Sequence, residues 1–363
     1  MKLDTIAVDM RMMHHSGIGT YISNLVPRMA SICSDMQFHL MGDADDLNKQ
    51  QWTRSKNVRV DRCASPIYSL GEQLEIPAHL HPVKELLWTP HYNIPVAFPG
   101  RLMVTIHDVF HLAMPQFVGG IHKRAYAQLV FSALKRRAHS VLCDSRFTAD
   151  ELIRLTGISH DKLHVVHLGV GSEWFTCKKA ENPHPRPYLL FVGNVKPHKN
   201  LIGLLSVFES ISERIPHDLM IVGKKEGFIT ADTKVGDKAA ALGDRVCFTG
   251  YVEFDVLQQY YLHADCLILP SLYEGFGLPP LEAMACGCPV ICSETCSLPE
   301  VCGDAAVYCD PTRIDSIASR ILMLVNDLYL QEELRSKGRE RASSFTWDRT
   351  AAQTAEILRS AVG

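Results

Sequence analysis

A chain of 363 residues exceeds what one ordinary hydrophobic core supports, so two domains are expected. Apolar residues at 47% and charged residues at 21% exclude a disordered or fibrous chain and fit a globular one. A net charge of −3 leaves no basic excess for neutralising phosphates, so no nucleic-acid partner is expected. Met1–Asp9 carries an acid within a short apolar run, and no stretch approaches the ~20 apolar residues that span a bilayer. The expectation is a cytoplasmic protein, free or peripheral at the inner face of the membrane. The twelve cysteines include no Cys-x2-Cys pair, and six lie between Cys286 and Cys309 in an apolar, Gly-bearing stretch. They read as small core hydrophobes rather than as zinc ligands or disulfides.

Short apolar runs alternate with helical patterns along the chain, which predicts an α/β fold with parallel sheets. In the first half, strands are predicted at Thr5–Val8, Phe38–Met41, Val58–Val60, Leu86–Trp88, Met103–Ile106, Ser140–Cys143 and Leu163–Val166. Helices are predicted over Gly19–Ser31 and Ile121–Ala138, with another over Phe147–Thr156 capped by Ser145. Residues 177–187 contain three prolines and several charges without periodicity, and read as a linker. The alternation then restarts with strands at Tyr188–Val192, Asp218–Val222, Val246–Thr249, Cys266–Leu269 and Val290–Cys292. A helix is predicted over Leu201–Ile215 and a last one over Trp347–Val362. Two α/β halves joined by such a hinge imply a cleft, with ligand-binding loops outside the carboxyl ends of the strands.

The most informative stretch runs from Pro270 to Val290, directly after the apolar Leu267-Ile268-Leu269. It offers a loop holding Gly275 and Gly277, prolines suited to a first helical turn, and a helix ending at Gly287. Such a strand–loop–helix unit aims backbone N–H groups and a positive helix end at an anion, so a diphosphate fits. Glu274 in the loop and Glu282 in the helix flank that position, and carboxylates suit hydroxyl-rich ligands such as a ribose and a hexose.

On these residues, with the spacing Glu-x7-Glu, the chain resembles the retaining GT-B glycosyltransferases of family 4 (glycosyltransferase group 1), in particular their bacterial mannosyltransferase-like branch. The resemblance covers essentially the whole chain. It implies that Glu274 contacts the donor sugar and Glu282 the ribose, with Gly275, Phe276, Gly277 and Leu278 near the sugar and phosphates. A second match is Phe191–Asn200, a strand, a glycine turn at Gly193 and then cations arriving at a helix N-terminus. By resemblance this loop neutralises the leaving diphosphate, with Lys199 as the characteristic lysine. Asn194 stands where many members carry arginine, which leaves Lys196 and His198 as candidates for the second positive contact. Thr249-Gly250-Tyr251-Val252 falls where backbone contacts to the base are implied, at Tyr251 and Val252.

In the first half, Ser16-Gly17-Ile18-Gly19-Thr20 precedes a helix. Ile22 stands where a dinucleotide fingerprint needs its third glycine, so that reading fails. The segment resembles the family's N-terminal glycine loop, with Gly17 and Gly19 facing the donor phosphates and the acceptor. His107 and Asp108 end a predicted strand, where ligand-contacting residues collect. The resemblance implies that His107 contacts the donor sugar, partly through its backbone. Asp108 is read as orienting His107 or as accepting from the acceptor hydroxyl. Three weaker patterns are Asp43-Ala44-Asp45 as a D-x-D metal motif, His107 with His111 as a zinc pair, and the loop residues His14-His15. Lys123, Arg124, Lys135, Arg136 and Arg137 surround the apolar middle of the helix over 121–138, which suits an anionic lipid surface as well as an ordinary exterior.

The expectation is thus a GT-B architecture, two Rossmann-like domains with parallel sheets facing across a cleft. Residues 1–180 form the acceptor-binding domain and 187–346 the donor-binding domain, and a helix over 347–363 crosses back to the first. The expected reaction moves a hexose, foremost mannose from GDP-mannose, onto a hydroxyl of a growing glycan or lipid-linked oligosaccharide, with retention. No metal or cofactor is expected beyond the nucleotide-sugar co-substrate. A UDP-hexose or a dTDP- or GDP-deoxysugar is the alternative donor. A non-catalytic nucleotide-sugar-binding subunit is the rival class, and the charged residues Glu274, Glu282 and Lys199 weigh against it. An oxidoreductase would need an intact fingerprint directly after a strand, which neither half carries.

Overall fold

A computed structural model describes residues 5–82, 84–223 and 233–362. The chain forms two compact units, Met1–Gly169 with Trp347–Gly363, and Val170–Thr346.

In the first unit, the strands are β1 (Thr5–Asp9), β2 (Gln37–Gly42), β3 (Val58–Arg62), β4 (Glu85–Thr89), β5 (Arg101–Ile106), β6 (Ser140–Cys143) and β7 (Leu163–Val165). All pair in parallel in the order β3-β2-β1-β4-β5-β6-β7, so the chain winds outward both ways from β1. That is the doubly wound order of a Rossmann-like sheet. β4 is buried along its whole length and β5 along all but its first residue, as strands covered on both faces must be.

Helix α1 (Ser16–Ile32) buries Tyr21, Ile22, Leu25, Val26 and Met29 at helical spacing. It packs on the closing helix Trp347–Val362, which buries Ala351, Ala355 and Leu358. The small alanines let the two helices approach closely. An exposed Arg28–Asp348 pair at 2.8 Å crosses their junction and contributes little beside the apolar contact. Helix α2 (Ile121–Arg137) buries Ala127, Val130, Phe131, Ala133 and Leu134 and turns its basic residues outward. Helix α3 (Arg146–Thr156) starts where Ser145 accepts from the Thr148 amide at 3.0 Å, and it stops at left-handed Gly157.

The second unit repeats the plan. Its strands are β8 (Tyr188–Val192), β9 (Asp218–Val222), β10 (Val246–Gly250), β11 (Cys266–Leu269), β12 (Val290–Ser293) and β13 (Val307–Cys309). They pair in parallel in the order β10-β9-β8-β11-β12-β13. The helices used below are α4 (Leu201–Ile211), α5 (Phe254–His263) and α6 (Leu278–Cys286). The predicted helix Leu201–Ile215 gives way after Ile211 to a 3-10 turn over Ser212–Arg214.

The chain divides between Gly169 and Val170, ahead of the Pro-rich run 177–187. Burial decides this. The Val170 amide donates to the Phe345 carbonyl at 2.9 Å, and Trp174, 6% exposed, packs on Phe254 and Tyr261. The Pro-rich run is itself tethered, with His184 Nε2 and Arg186 Nε at 2.6 and 2.9 Å from buried Asp218. All twelve cysteines are in the thiol form and most are buried.

Candidate functional site

The buried strand β11 leads through residues 270–277 into α6, whose first turn holds Pro279 and Pro280. Gly277 has φ 128, and a Cβ there would lie 2.9 Å from Leu298 Cδ2. Only glycine meets both the backbone and the packing requirement. Buried Ser297 splints the loop, its Oγ lying 2.9 Å from the Glu274 carbonyl and 2.7 Å from the Phe276 carbonyl. Phe276 is 5% exposed and packs edge-on against Phe345. Gly275 is buried too, while Leu278, the first helical residue, is half-buried.

The loop after β8 closes on this one, since the Leu272 amide donates to the His198 carbonyl at 2.7 Å. Between the two loops, Lys199 Nζ donates to Glu274 Oε1 at 2.6 Å and Oε2 at 2.7 Å. Both side chains are largely buried, at 17% and 11% exposure. In this form the candidate cation and the candidate sugar-binding carboxylate neutralise each other. Gly193 extends β8 by donating to the Val222 carbonyl at 2.9 Å, Asn194 is half-buried and Lys196 is exposed.

Gly223, unnoticed in the sequence, sits so close to Gly193 that a Cβ would lie 2.2 Å from the Gly193 carbonyl oxygen. Its amide donates to Gly250 at 3.0 Å, so the carboxyl ends of β8, β9 and β10 each carry a glycine. Tyr251, just beyond β10, is 65% exposed, and Val252 is half-buried.

Glu282 lies on α6, and burial pushes its carboxyl up to about 7 against the pull of one hydrogen bond. That bond comes from the Tyr261 hydroxyl on α5, 3.1 Å from Oε2. Nothing in the sequence pairs these residues, which stand on separate helices.

In the first unit, α1 begins at Ser16, so Gly17 and Gly19 stand in its first turn and not in a loop ahead of it. The reason is steric. The Gly19 amide already donates to the His15 carbonyl at 2.5 Å, and a Cβ at Gly19 would lie 2.4 Å from the Met13 carbonyl oxygen. Gly17 is exposed, and a Cβ added there would meet nothing within 4 Å.

His107 follows β5, with Nδ1 at 2.6 Å from Asp144 Oδ2 and Nε2 at 2.9 Å from the Pro90 carbonyl. Burial opposes charge on the ring, but the Asp144 carboxylate and these hydrogen bonds prevail and raise its pKa. Burial likewise raises that of Asp144. The Tyr21 and His107 rings stand edge to face with centroids 4.9 Å apart, and the Tyr21 hydroxyl lies 3.0 Å from Thr105 Oγ1.

The orienting role considered for Asp108 belongs instead to Asp144, because Asp108 Oδ1 accepts from the Phe110 amide at 2.9 Å and caps the next turn. Both ring nitrogens of His107 are thus engaged, and its carbonyl lies 3.5 Å from Thr148 Oγ1.

The weaker patterns have local explanations. Asp43 Oδ1 caps a short helix by accepting from the Asp45 and Asp46 amides at 2.9 and 3.2 Å, and Asp45 pairs with Arg62 at 3.1 Å. His111 packs against the Tyr92 ring, while the nitrogens of His107 engage Asp144 and the Pro90 carbonyl. Exposed His14 pairs with Asp46 at 3.1 Å. Among the described residues, no helix is long and apolar enough to cross a membrane.

Comparison with known proteins bears on both units. Residues 172–341 match the family described as Glycosyl transferases group 1, and residues 16–174 match Glycosyltransferase Family 4. The O-antigen chain mannosyltransferase B of Escherichia coli is 28% identical over 364 residues, covering 93% of this chain and 94% of its own. The O-antigen chain mannosyltransferase RfbU of Salmonella typhimurium is 30% identical over 229 residues, 63% of this chain and 61% of its own. Among solved structures, sucrose-phosphate synthase from Thermosynechococcus elongatus has the same fold, with a TM-score of 0.78, 21% identity and 98% of both chains covered.

Proposed function

The chain belongs to the group 1 glycosyltransferases of family 4, enzymes of GT-B fold, and from that premise we propose that it transfers mannose from GDP-mannose to a hydroxyl of a growing glycan, with retention. The names of two relatives, both O-antigen chain mannosyltransferases, support mannose as the sugar and a growing O-antigen chain as the acceptor. The observation that carries the reading is the Lys199–Glu274 pair, held at 2.6 and 2.7 Å beside a glycine loop that opens a helix.

On donor binding, the diphosphate takes the ammonium of Lys199 and the amides at the start of α6, and the hexose hydroxyls take the released carboxylate of Glu274. Gly275, Phe276, Gly277 and Leu278 line the sugar and phosphates, and Gly193, Asn194 and Lys196 lie on the diphosphate side. Glu282 accepts from the ribose hydroxyls, and Tyr251 and Val252 flank the base. As the bond from the anomeric carbon to the diphosphate breaks, Lys199 and the helix end stabilise the leaving oxygen. The acceptor hydroxyl attacks the same face through an ion-pair-like state, its proton passing to the departing diphosphate oxygen, and no metal or cofactor enters the proposal.

In the first unit, Gly17 and Gly19 at the start of α1 and the backbone of His107 stay proposed donor contacts on the family resemblance alone. Asp108 is the group nearest that histidine in sequence with a carboxylate to offer an acceptor hydroxyl. The outward basic residues of α2 suit a peripheral position on an anionic inner membrane face, where a lipid-linked acceptor is met.

The test is to incubate the protein with GDP-mannose labelled in the sugar and with lipid-linked glycan extracts. A labelled glycan from which α-mannosidase releases labelled mannose is the expected product. Transfer only from UDP-hexose or a deoxysugar nucleotide overturns the donor, and a β-linked product overturns retention.

A further inference from the structure

Tyr261 lies outside the residues that the family motif singles out. Its side chain is fully buried, in a helix that carries no part of the Glu-x7-Glu segment. One ring contact fixes it from the chain entering the unit, Trp174 standing edge-on at 5.6 Å. Trp174 is in turn wedged against Phe254, the first residue of the same helix, at 4.7 Å. Gln258, one helical turn before Tyr261, donates from Nε2 to the Glu173 carbonyl at 2.9 Å and locks the segment to the helix. The ring therefore has little freedom, and its hydroxyl donates to Glu282 Oε2 at 3.1 Å. Burial raises the phenol's pKa well above its ordinary value, so it stays a donor at every working pH. Neighbouring Tyr260 faces elsewhere, packing against Tyr188 at 6.1 Å.

A carboxylate has about four acceptor positions, and an unrestrained glutamate spreads them over several rotamers. With Oε2 tied to a rigid phenol, the carboxylate keeps one orientation, and Oε1 with the remaining lone pairs is left for a ligand. We infer that Tyr261 is a positioning residue for the donor, its hydroxyl holding the Glu282 carboxylate in the orientation that receives the two ribose hydroxyls of a nucleoside diphosphate. This rests on the proposed ribose contact of Glu282.

The experiment is calorimetric titration of GDP and 2′-deoxy-GDP into the full-length wild type, Tyr261→Phe and Tyr260→Phe, with the donor KM and kcat of each. The wild type should prefer GDP by about ten-fold, and Tyr261→Phe should lose about ten-fold in GDP affinity with that preference collapsing towards one. Its donor KM should rise with kcat nearly unchanged, and Tyr260→Phe should behave as the wild type. Equal loss for both nucleotides makes Tyr261 merely structural and overturns the inference, as does an undiminished preference in Tyr261→Phe. If the wild type binds GDP without preferring it over 2′-deoxy-GDP, the ribose contact itself falls and the inference with it.

Discussion

Lys199 and Glu274 occupy each other in the free protein, and that pairing has a consequence opposite to simple loss of a contact. Replacing Glu274 by Gln removes the carboxylate that competes for the ammonium. GDP, which carries no sugar, should then bind several-fold more tightly while mannose transfer falls by at least ~100-fold. Calorimetry beside an initial-rate assay checks both halves, and weaker GDP binding in Glu274→Gln would contradict the pairing.

Glu282 gives a pH prediction with a definite sign. Its folded pKa, about 7, stands above the ordinary 4.5, so the unfolded chain releases this proton first and the group's contribution to stability falls as pH rises between those values. Binding runs the other way, because only the carboxylate can accept from both ribose hydroxyls. GDP affinity should rise from pH 6 to pH 8 with proton release below pH 7, seen by calorimetry in buffers of different ionisation enthalpy, and Glu282→Gln should flatten the profile. At this scale the placement of Glu274 in a loop and Glu282 in the following helix was legible because their spacing is local. The partner of His107 was not, because Asp144 stands 37 residues away and meets it only through the pairing of β5 with β6.

The element that matters most is the loop from β11 into α6. Gly277→Ala forces a side chain onto φ 128 and against Leu298, and should cost about 1–3 kcal/mol by chemical denaturation along with most of the nucleotide affinity. Most elements could be read from the sequence because buried parallel strands are continuous apolar runs and the helices carry one apolar stripe. Tyr188–Val192 and Trp347–Val362 appear with the bounds that the pattern predicts. β13 escaped because three residues, Val307-Tyr308-Cys309, are too short for any periodicity. The start of α1 escaped because two glycines in a first turn look like loop, and only the close approach of the Met13 carbonyl makes Gly19 a packing requirement.

For the whole molecule, one winding order serves two units, and the closing helix belongs to the first although it follows the second in sequence. Deleting 347–363 uncovers the apolar face of α1. Hydrogen exchange should then quicken across β1, β4 and β5 and leave β8, β11 and β12 unchanged. The place where the chain divides was hidden from composition, because prolines and charges mark 177–187 whereas the buried Trp174 ahead of them belongs to the second unit.

The central claim is that the unit Val170–Thr346 holds a nucleoside diphosphate sugar through Lys199, Glu274 and Glu282. Its most direct test is calorimetric titration of GDP, UDP and dTDP into the wild type and Glu282→Ala. Saturable one-to-one binding of GDP that Glu282→Ala weakens by at least ~10-fold is the predicted result. Binding of none of the three nucleotides would contradict it.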